Sequence, residues 1–339
     1  MFPLPRIERL TGVATLALML APIAEAQAPS DQHPLAPAYT PTSLTPEPGL
    51  PRTPDGHPSF EGVWTTNFFS MLEATPLTPN LIVTEAEGKA ALAQFVKMFS
   101  ANPSITIDPE AADLLFNTDG FPIVRGERRS RSIVSPDDGK LPYTPAGQKA
   151  ADAFDMATGA GSNNPEERPS GERCIVAGGQ PPVAATLSLN PRQFIQTPGH
   201  IVIHTEMGDE ARIIPLSSTH GPRALASRLG DSIARWEGDT LVIETIHLPA
   251  EDHVRSFPQM VVSADAKVTE RFTRLSNTEL LYQFLVEDPA SYTAPWLAEY
   301  SLYRTNQRMF PWSCHEANYS LPNILKAQRV ADAKPKTPR

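Results

Sequence analysis

From residue 194 onward, short apolar strands alternate with turn residues, and this repeat restricts the fold more tightly than any other feature. Residues 194–195 and 201–206 form one candidate strand, and 211–216 form another. Residues 232–236 and 240–246 flank Glu237-Gly238-Asp239, a tight-hairpin signal. Residues 268–275 and 280–287 flank Ser276-Asn277-Thr278-Glu279, while 297–304 and 309–314 flank Thr305-Asn306-Gln307. Consecutive hairpins make an antiparallel meander, which hides its edges by closing into a barrel or stacking as a sandwich. Proline strengthens that expectation. The chain carries 36 Pro in 339 residues, about twice the usual share of ~5%, and Pro breaks long helices and coiled coils.

Residues 65–170 read as short helices and loops. Thr84 with Glu87 is a capping box that opens a helix to about Ser100. Asp108-Pro109 and Thr144-Pro145 each place Pro at a first helical position, the second starting a helix to about Thr158. A polar loop over 159–171 follows. Asp288-Pro289 and Ala294-Pro295-Trp296 interrupt the β pattern as a loop at a barrel mouth, and a short helix follows Pro322. The expected class is α+β, mainly antiparallel β: a hairpin-rich barrel or sandwich with an N-terminal helical segment packed on it.

Residues 1–26 have the form of a signal peptide. Arg6 and Arg9 precede an apolar run over 10–23, and Ala24-Glu25-Ala26 supplies small residues for cleavage. That run is too short to span a hydrocarbon core of ~30 Å. A Pro-rich extended leader over 27–58, a single globular domain over 59–330 and a flexible tail over 331–339 complete the division. Within the domain the helical part covers about 84–160 and the β part about 190–316. Export to the periplasm or medium makes Cys174 and Cys314 a candidate disulfide, and no membrane insertion is expected after signal removal. Lys plus Arg number 29 against 38 Asp plus Glu, a net charge of −9 that disfavours nucleic acid as a partner.

No glycine-rich dinucleotide fingerprint, P-loop, nucleophile elbow, zincin helix or C-x-x-C occurs. The most suggestive stretch is 201–206, where alternation puts Val202, His204 and Glu206 on one strand face, with Arg212 on the strand that follows. A second cluster, His315 and Glu316, sits beside Cys314, where a disulfide would hold the backbone rigid. His204, Glu206, Arg212, His315 and Glu316 are therefore the candidate catalytic set, and Trp236, Asn318 and Tyr319 the candidate ligand contacts. The bland reading is a solvated edge strand and a surface turn. No cofactor is expected; a divalent metal held by the two His and two carboxylates is the lesser alternative. His200, His220, His247 and His253 read as surface or loop residues.

Several segments together are distinctive. They are Gly62-Val63-Trp64, Glu172-Arg173-Cys174, Gln196-Thr197-Pro198-Gly199, His204-Thr205-Glu206 and Arg235-Trp236-Glu237-Gly238-Asp239-Thr240-Leu241-Val242. Glu270-Arg271-Phe272-Thr273-Arg274, Glu287-Asp288-Pro289, Pro295-Trp296 and Cys314-His315-Glu316-Ala317-Asn318-Tyr319 follow in order. The set resembles a family of exported bacterial proteins common in acidobacteria and sphingomonad-type proteobacteria. The resemblance implies a periplasmic or secreted protein and carries no activity. Gly62-Val63-Trp64 also looks like the Gly-x-Trp start of lipocalin-like barrels, where the Trp closes the barrel base.

Three functions compete on this reading. The first is a cofactor-free acid–base enzyme of lyase, isomerase or hydrolase class, acting on a small molecule in a barrel-type pocket. It requires His204, Glu206, Arg212, His315 and Glu316 to converge. The second is a non-catalytic periplasmic binding protein for a small apolar or aromatic ligand. The third is a structural envelope component.

Overall fold

Alternation decides which side chains of a strand are buried together, and the registers of neighbouring strands then fix what they meet. In chain order the strands are β1 (Gly62–Thr65), β2 (Ile123–Val124), β3 (Glu127–Arg128), β4 (Ile133–Ser135), β5 (Arg192–Gln196) and β6 (His200–Thr205). They continue as β7 (Glu210–Pro215), β8 (Asp231–Glu237), β9 (Thr240–Ile246), β10 (Lys267–Arg274), β11 (Glu279–Glu287) and β12 (Trp296–Thr305). The helices are α1 (Glu85–Ser100), α2 (Pro145–Ala160) and α3 (Ser320–Asp332). The structure is a computed structural model and describes residues 45–66, 71–100, 121–160, 162–175, 178–183, 190–249 and 260–334. All of these belong to the unit Ala36–Arg339.

Nine strands run in the order β7-β6-β5-β1-β12-β11-β10-β9-β8, and β4 adds beside β12. Every neighbour along this path is antiparallel. An up-and-down path with an odd number of strands must bring its ends together parallel. It does so at Leu216 and Ala234, a parallel bridge where the Ser217 N–H donates to the Ala234 carbonyl at 3.2 Å. Pro215 has no N–H to extend the contact. The result is a nearly closed, barrel-like sheet with helices outside it, the α+β class expected.

Inside, Leu280, Tyr282, Phe284 and Val286 of β11 face Trp296, Ala298, Tyr300 and Leu302 of β12 in one apolar core. Aromatic rings pack across it, Phe194 on Phe272 at 5.2 Å, Phe272 on Tyr282 at 4.7 Å and Tyr282 on Tyr300 at 5.1 Å. Each such ring buries ~150–250 Å², so the barrel is filled rather than hollow. Trp64 is fully buried on β1, its Nε1 donating to the Phe60 carbonyl.

Outside, residues around β2, β3 and β4 cover β11 and β12. Glu299 on the outer face of β12 is buried against Arg125 at 2.6 Å and Arg129 at 3.3 Å, and accepts from Gln283 Nε2 at 2.9 Å. The capping box at α1 forms as expected: the Thr84 N–H donates to Glu87 and the Glu87 N–H to Thr84 Oγ1. At α2, Thr144 Oγ1 accepts from the Gly147 N–H at 3.0 Å.

Three expectations need correction or placement. Residues 309–314 form no strand, because both edges of β12 are already taken, by β11 and by β1. The one candidate strand from 194 to 206 is two, β5 and β6, joined through Thr197-Pro198-Gly199. Residues 45–58 of the supposed extended leader dock on the barrel. Arg52 forks onto Asp239 at 2.9 and 2.7 Å, and His57 stacks on Trp236 at 4.4 Å. Asp108-Pro109 and the signal-like segment lie outside the described residues.

Cys174 and Cys314 form a disulfide, with Cα atoms 5.7 Å apart across a sequence separation of 140. It ties the chain before β5 to the chain after β12. Loop-closure entropy gives such a link roughly 5 kcal/mol at most. Thermal melts with and without dithiothreitol should show a transition several degrees lower when reduced; coincident melts would mean the bridge adds nothing.

Candidate functional site

The polar side chains of the barrel interior gather in one place. Ile214 of β7 faces the core, so Arg212 two residues earlier faces inward as well. Its guanidinium forks onto Glu270 of β10, Nη1 to Oε1 at 3.1 Å and Nη2 to Oε2 at 2.6 Å. Nη2 also reaches Ser232 Oγ on β8 at 3.1 Å and Thr245 Oγ1 on β9 at 3.2 Å. Both side chains are removed from solvent, at 4% and 0% exposure. From the adjacent strand β11 the Tyr282 hydroxyl donates to Glu270 Oε1 at 2.8 Å.

Residues 178–183 lie over this cluster as a plug. The Val183 N–H donates to the Tyr282 oxygen at 3.1 Å, and the Tyr300 hydroxyl donates to the Val183 carbonyl at 2.9 Å. The N–H groups of Gly178 and Gly179 point at Glu210 Oε2, at 3.2 and 2.5 Å. The absence of a Cβ leaves room for that approach. A Cβ on Gly179 would lie 2.8 Å from the same carboxylate oxygen, and one on Gly178 2.6 Å from Asn190 Nδ2.

Between plug and cluster is a small cavity lined by Gly179, Val183, Arg192, Ile203, Thr205, Arg212, Glu270, Phe272 and Tyr282. Its free space is about 10 Å³, room for about one water. Burial, followed by the nearby Glu270 charge, pushes the Tyr282 hydroxyl well above its ordinary pKa. Burial raises Tyr300 too, although Arg192 opposes it. Both phenols therefore hold their protons and act as fixed hydrogen-bonding groups.

The residues expected to be catalytic do not share this space. His204 pairs in register with exposed Ala211, so it lies on the outer face, with Nε2 2.7 Å from Asp209 Oδ1 rather than near Glu206. Glu206 Oε2 accepts from the Phe310 N–H at 2.8 Å. Arg212 is on the opposite, inner face. His315 and Glu316 are exposed in the 3-10 turn His315–Ala317. Of the expected ligand contacts, Trp236 packs against His57 and, at 5.5 Å, against Phe60. Asn318 donates to the Glu172 carbonyl at 2.8 Å and lines a surface groove of about 510 Å³ beside Cys314. Tyr319 is 75% exposed.

Arg192, Thr205, Glu270 and Tyr300 went unnoticed in the sequence as site residues. The signal was the period of two: Val268, Glu270 and Phe272 alternate, as do Arg192 and Phe194, so each charge shares the face of a core residue. Among the described residues, no group of three or more His, Cys, Asp or Glu is placed to hold a metal ion. None of their helices is long and apolar enough to cross a membrane. Comparison with protein-family models, with curated proteins and with solved structures found no match.

Glu270→Gln leaves Arg212 buried without its counter-charge, which should cost about 3–5 kcal/mol in denaturant unfolding. The apolar double variant Arg212→Met with Glu270→Leu should recover much of that loss, because neither charge is then desolvated. If Glu270→Gln unfolds like the native chain, the pair is not what holds the cluster.

Proposed function

We propose that the protein is an exported, non-catalytic binding protein that holds one small molecule inside the barrel, beneath the plug over residues 178–183. The observation that carries the reading is the lining of the interior cavity. Hydrogen-bonding and charged groups converge on a small space beneath the plug, and no His or Cys is among them. Arg212 and Glu270 are locked to each other and the phenols keep their protons, so this wall is suited to orient a ligand rather than exchange protons with it. His204 lies on the outer face of the sheet and Arg212 on the inner, which weighs against an acid–base enzyme built on His204, Glu206, Arg212, His315 and Glu316. An oxidising location is supported by the Cys174–Cys314 bridge together with the signal-like start of the chain.

Thr205→Leu adds volume to the cavity wall without introducing charge. Native mass spectrometry against a panel of small polar and aromatic compounds should show one bound molecule for the native chain and none for this variant, at unchanged circular dichroism. Equal binding by the two proteins would place the ligand elsewhere, for which the groove beside Cys314 is the first region to probe.

A further inference from the structure

The wall of the small cavity carries two positive side chains and one negative. Arg192 and Arg212 line the cavity with Glu270 as the carboxylate beside them, and that carboxylate is committed to Arg212. Arg192 is 95% buried by its 5% exposure. Its Nε has no hydrogen-bond partner, and among the described residues no carboxylate lies within ion-pair distance of its guanidinium. Its side-chain partner is the Tyr300 oxygen, which accepts from the guanidinium while the Tyr300 proton goes to the Val183 carbonyl.

The contrast with other buried arginines is the argument. Arg212 has Glu270, and Arg125 and Arg129 share Glu299. Arg131 donates to the carbonyls of Pro79, Ile133 and Asp137, and Arg274 to those of Ser59 and Ser276. Arg192 has a phenol oxygen but neither a carboxylate nor a carbonyl, and a buried guanidinium held by one neutral group keeps an uncompensated charge. It is accounted for by a partner that arrives from outside. A guanidinium fork fits a carboxylate through two parallel hydrogen bonds. One surplus positive charge suits a monoanion.

Resting on the barrel-interior reading above, we infer that the ligand is a small carboxylate monoanion whose carboxylate binds the Arg192 guanidinium. The closed cavity has room for about one water, so a carboxylate enters only when the plug shifts. The Gly178 and Gly179 N–H bonds to Glu210 are the contacts released.

The test uses the full mature chain at constant pH and ionic strength, with acetate, acetamide, chloride and inorganic phosphate as probes at matched concentrations. A ligand of the native state raises Tm with concentration. Acetate should do so, and acetamide and chloride should not. Arg192→Met should melt higher than the native chain in probe-free buffer, since an unpaired buried charge is gone, and should lose the acetate response. Arg192→Lys keeps the charge without the fork and should weaken acetate binding roughly ten- to a hundredfold. Exposed Arg223→Gln is the control and should respond like the native chain.

Equal responses to acetate and acetamide, both lost in Thr205→Leu, would leave the barrel site standing and overturn the carboxylate. A response to phosphate alone would overturn it too. Loss of stability in probe-free Arg192→Met, with no probe acting on the native chain, would make Arg192 a structural cation and overturn the inference. If Arg192→Met fails to fold, the Arg192→Lys affinity decides.

Discussion

The Arg212 side chain does what the backbone of this barrel cannot. A nine-stranded up-and-down path meets itself parallel, and Leu216 with Ala234 gives a single bridge across that meeting. Arg212 leaves β7 on one side of the seam and bonds Ser232, Thr245 and Glu270 on β8, β9 and β10 on the other. Four hydrogen bonds therefore cross where ladder bonds are scarce, and open strand edges are where sheets pair wrongly. The desolvation of two charges is costly, and it is offset only because the fork is bidentate and the remaining lone pair of Glu270 takes the Tyr282 hydroxyl.

A second buried carboxylate settles the outer layer in the same manner. Glu299 and Gln283 point away from the barrel core, where a lone sheet would show them to water. Here they receive Arg125 and Arg129 from the turn region of β2 and β3. The run Arg125-Gly126-Glu127-Arg128-Arg129-Ser130-Arg131 is the densest basic stretch of the chain, yet Arg129 and Arg131 within it are buried. Its charges are spent on internal partners, Glu299 for Arg129 and backbone carbonyls for Arg131. Charge complementarity thus specifies which segment covers which strands, a task that interchangeable apolar contacts perform less selectively.

Much of the fold was legible because it is local. The turn Glu237-Gly238-Asp239, the capping box at Thr84 and Glu87, and the Pro after Thr144 each carry their structure within a few residues. What failed was non-local. Residues 309–314 look like a strand, but a strand needs a vacant edge, and β1, more than two hundred residues earlier in the chain, occupies it. Residues 45–58 look incapable of folding, and alone they are, yet Asp239 and Trp236 provide a surface for them. The grouping of His204 with Arg212 failed for a simpler reason. The register His204 to Ala211 fixes the parity of the hairpin, and one residue of uncertainty in the turn exchanges inside for outside.

The same parity explains why the interior site is small and polar at once. Phe194, Phe272, Tyr282 and Tyr300 fill most of the barrel cross-section, leaving no channel for a bulky ligand. Space remains where the alternating positions switch from rings to Arg192, Thr205 and Glu270, of which Glu270 is held by Arg212 and Tyr282. On the proposed binding reading, a ligand there would supply what that corner lacks. It lacks negative charge, because Glu270 is already bonded by Arg212 and Tyr282 while Glu210 is engaged by the plug. A plug latched on one carboxylate and seated beside an uncompensated cation links access to charge. On the proposed reading, an anion at Arg192 would sit beside the Tyr300 hydroxyl that donates to the Val183 carbonyl, so occupancy and plug position would act on the same hydrogen-bonded chain.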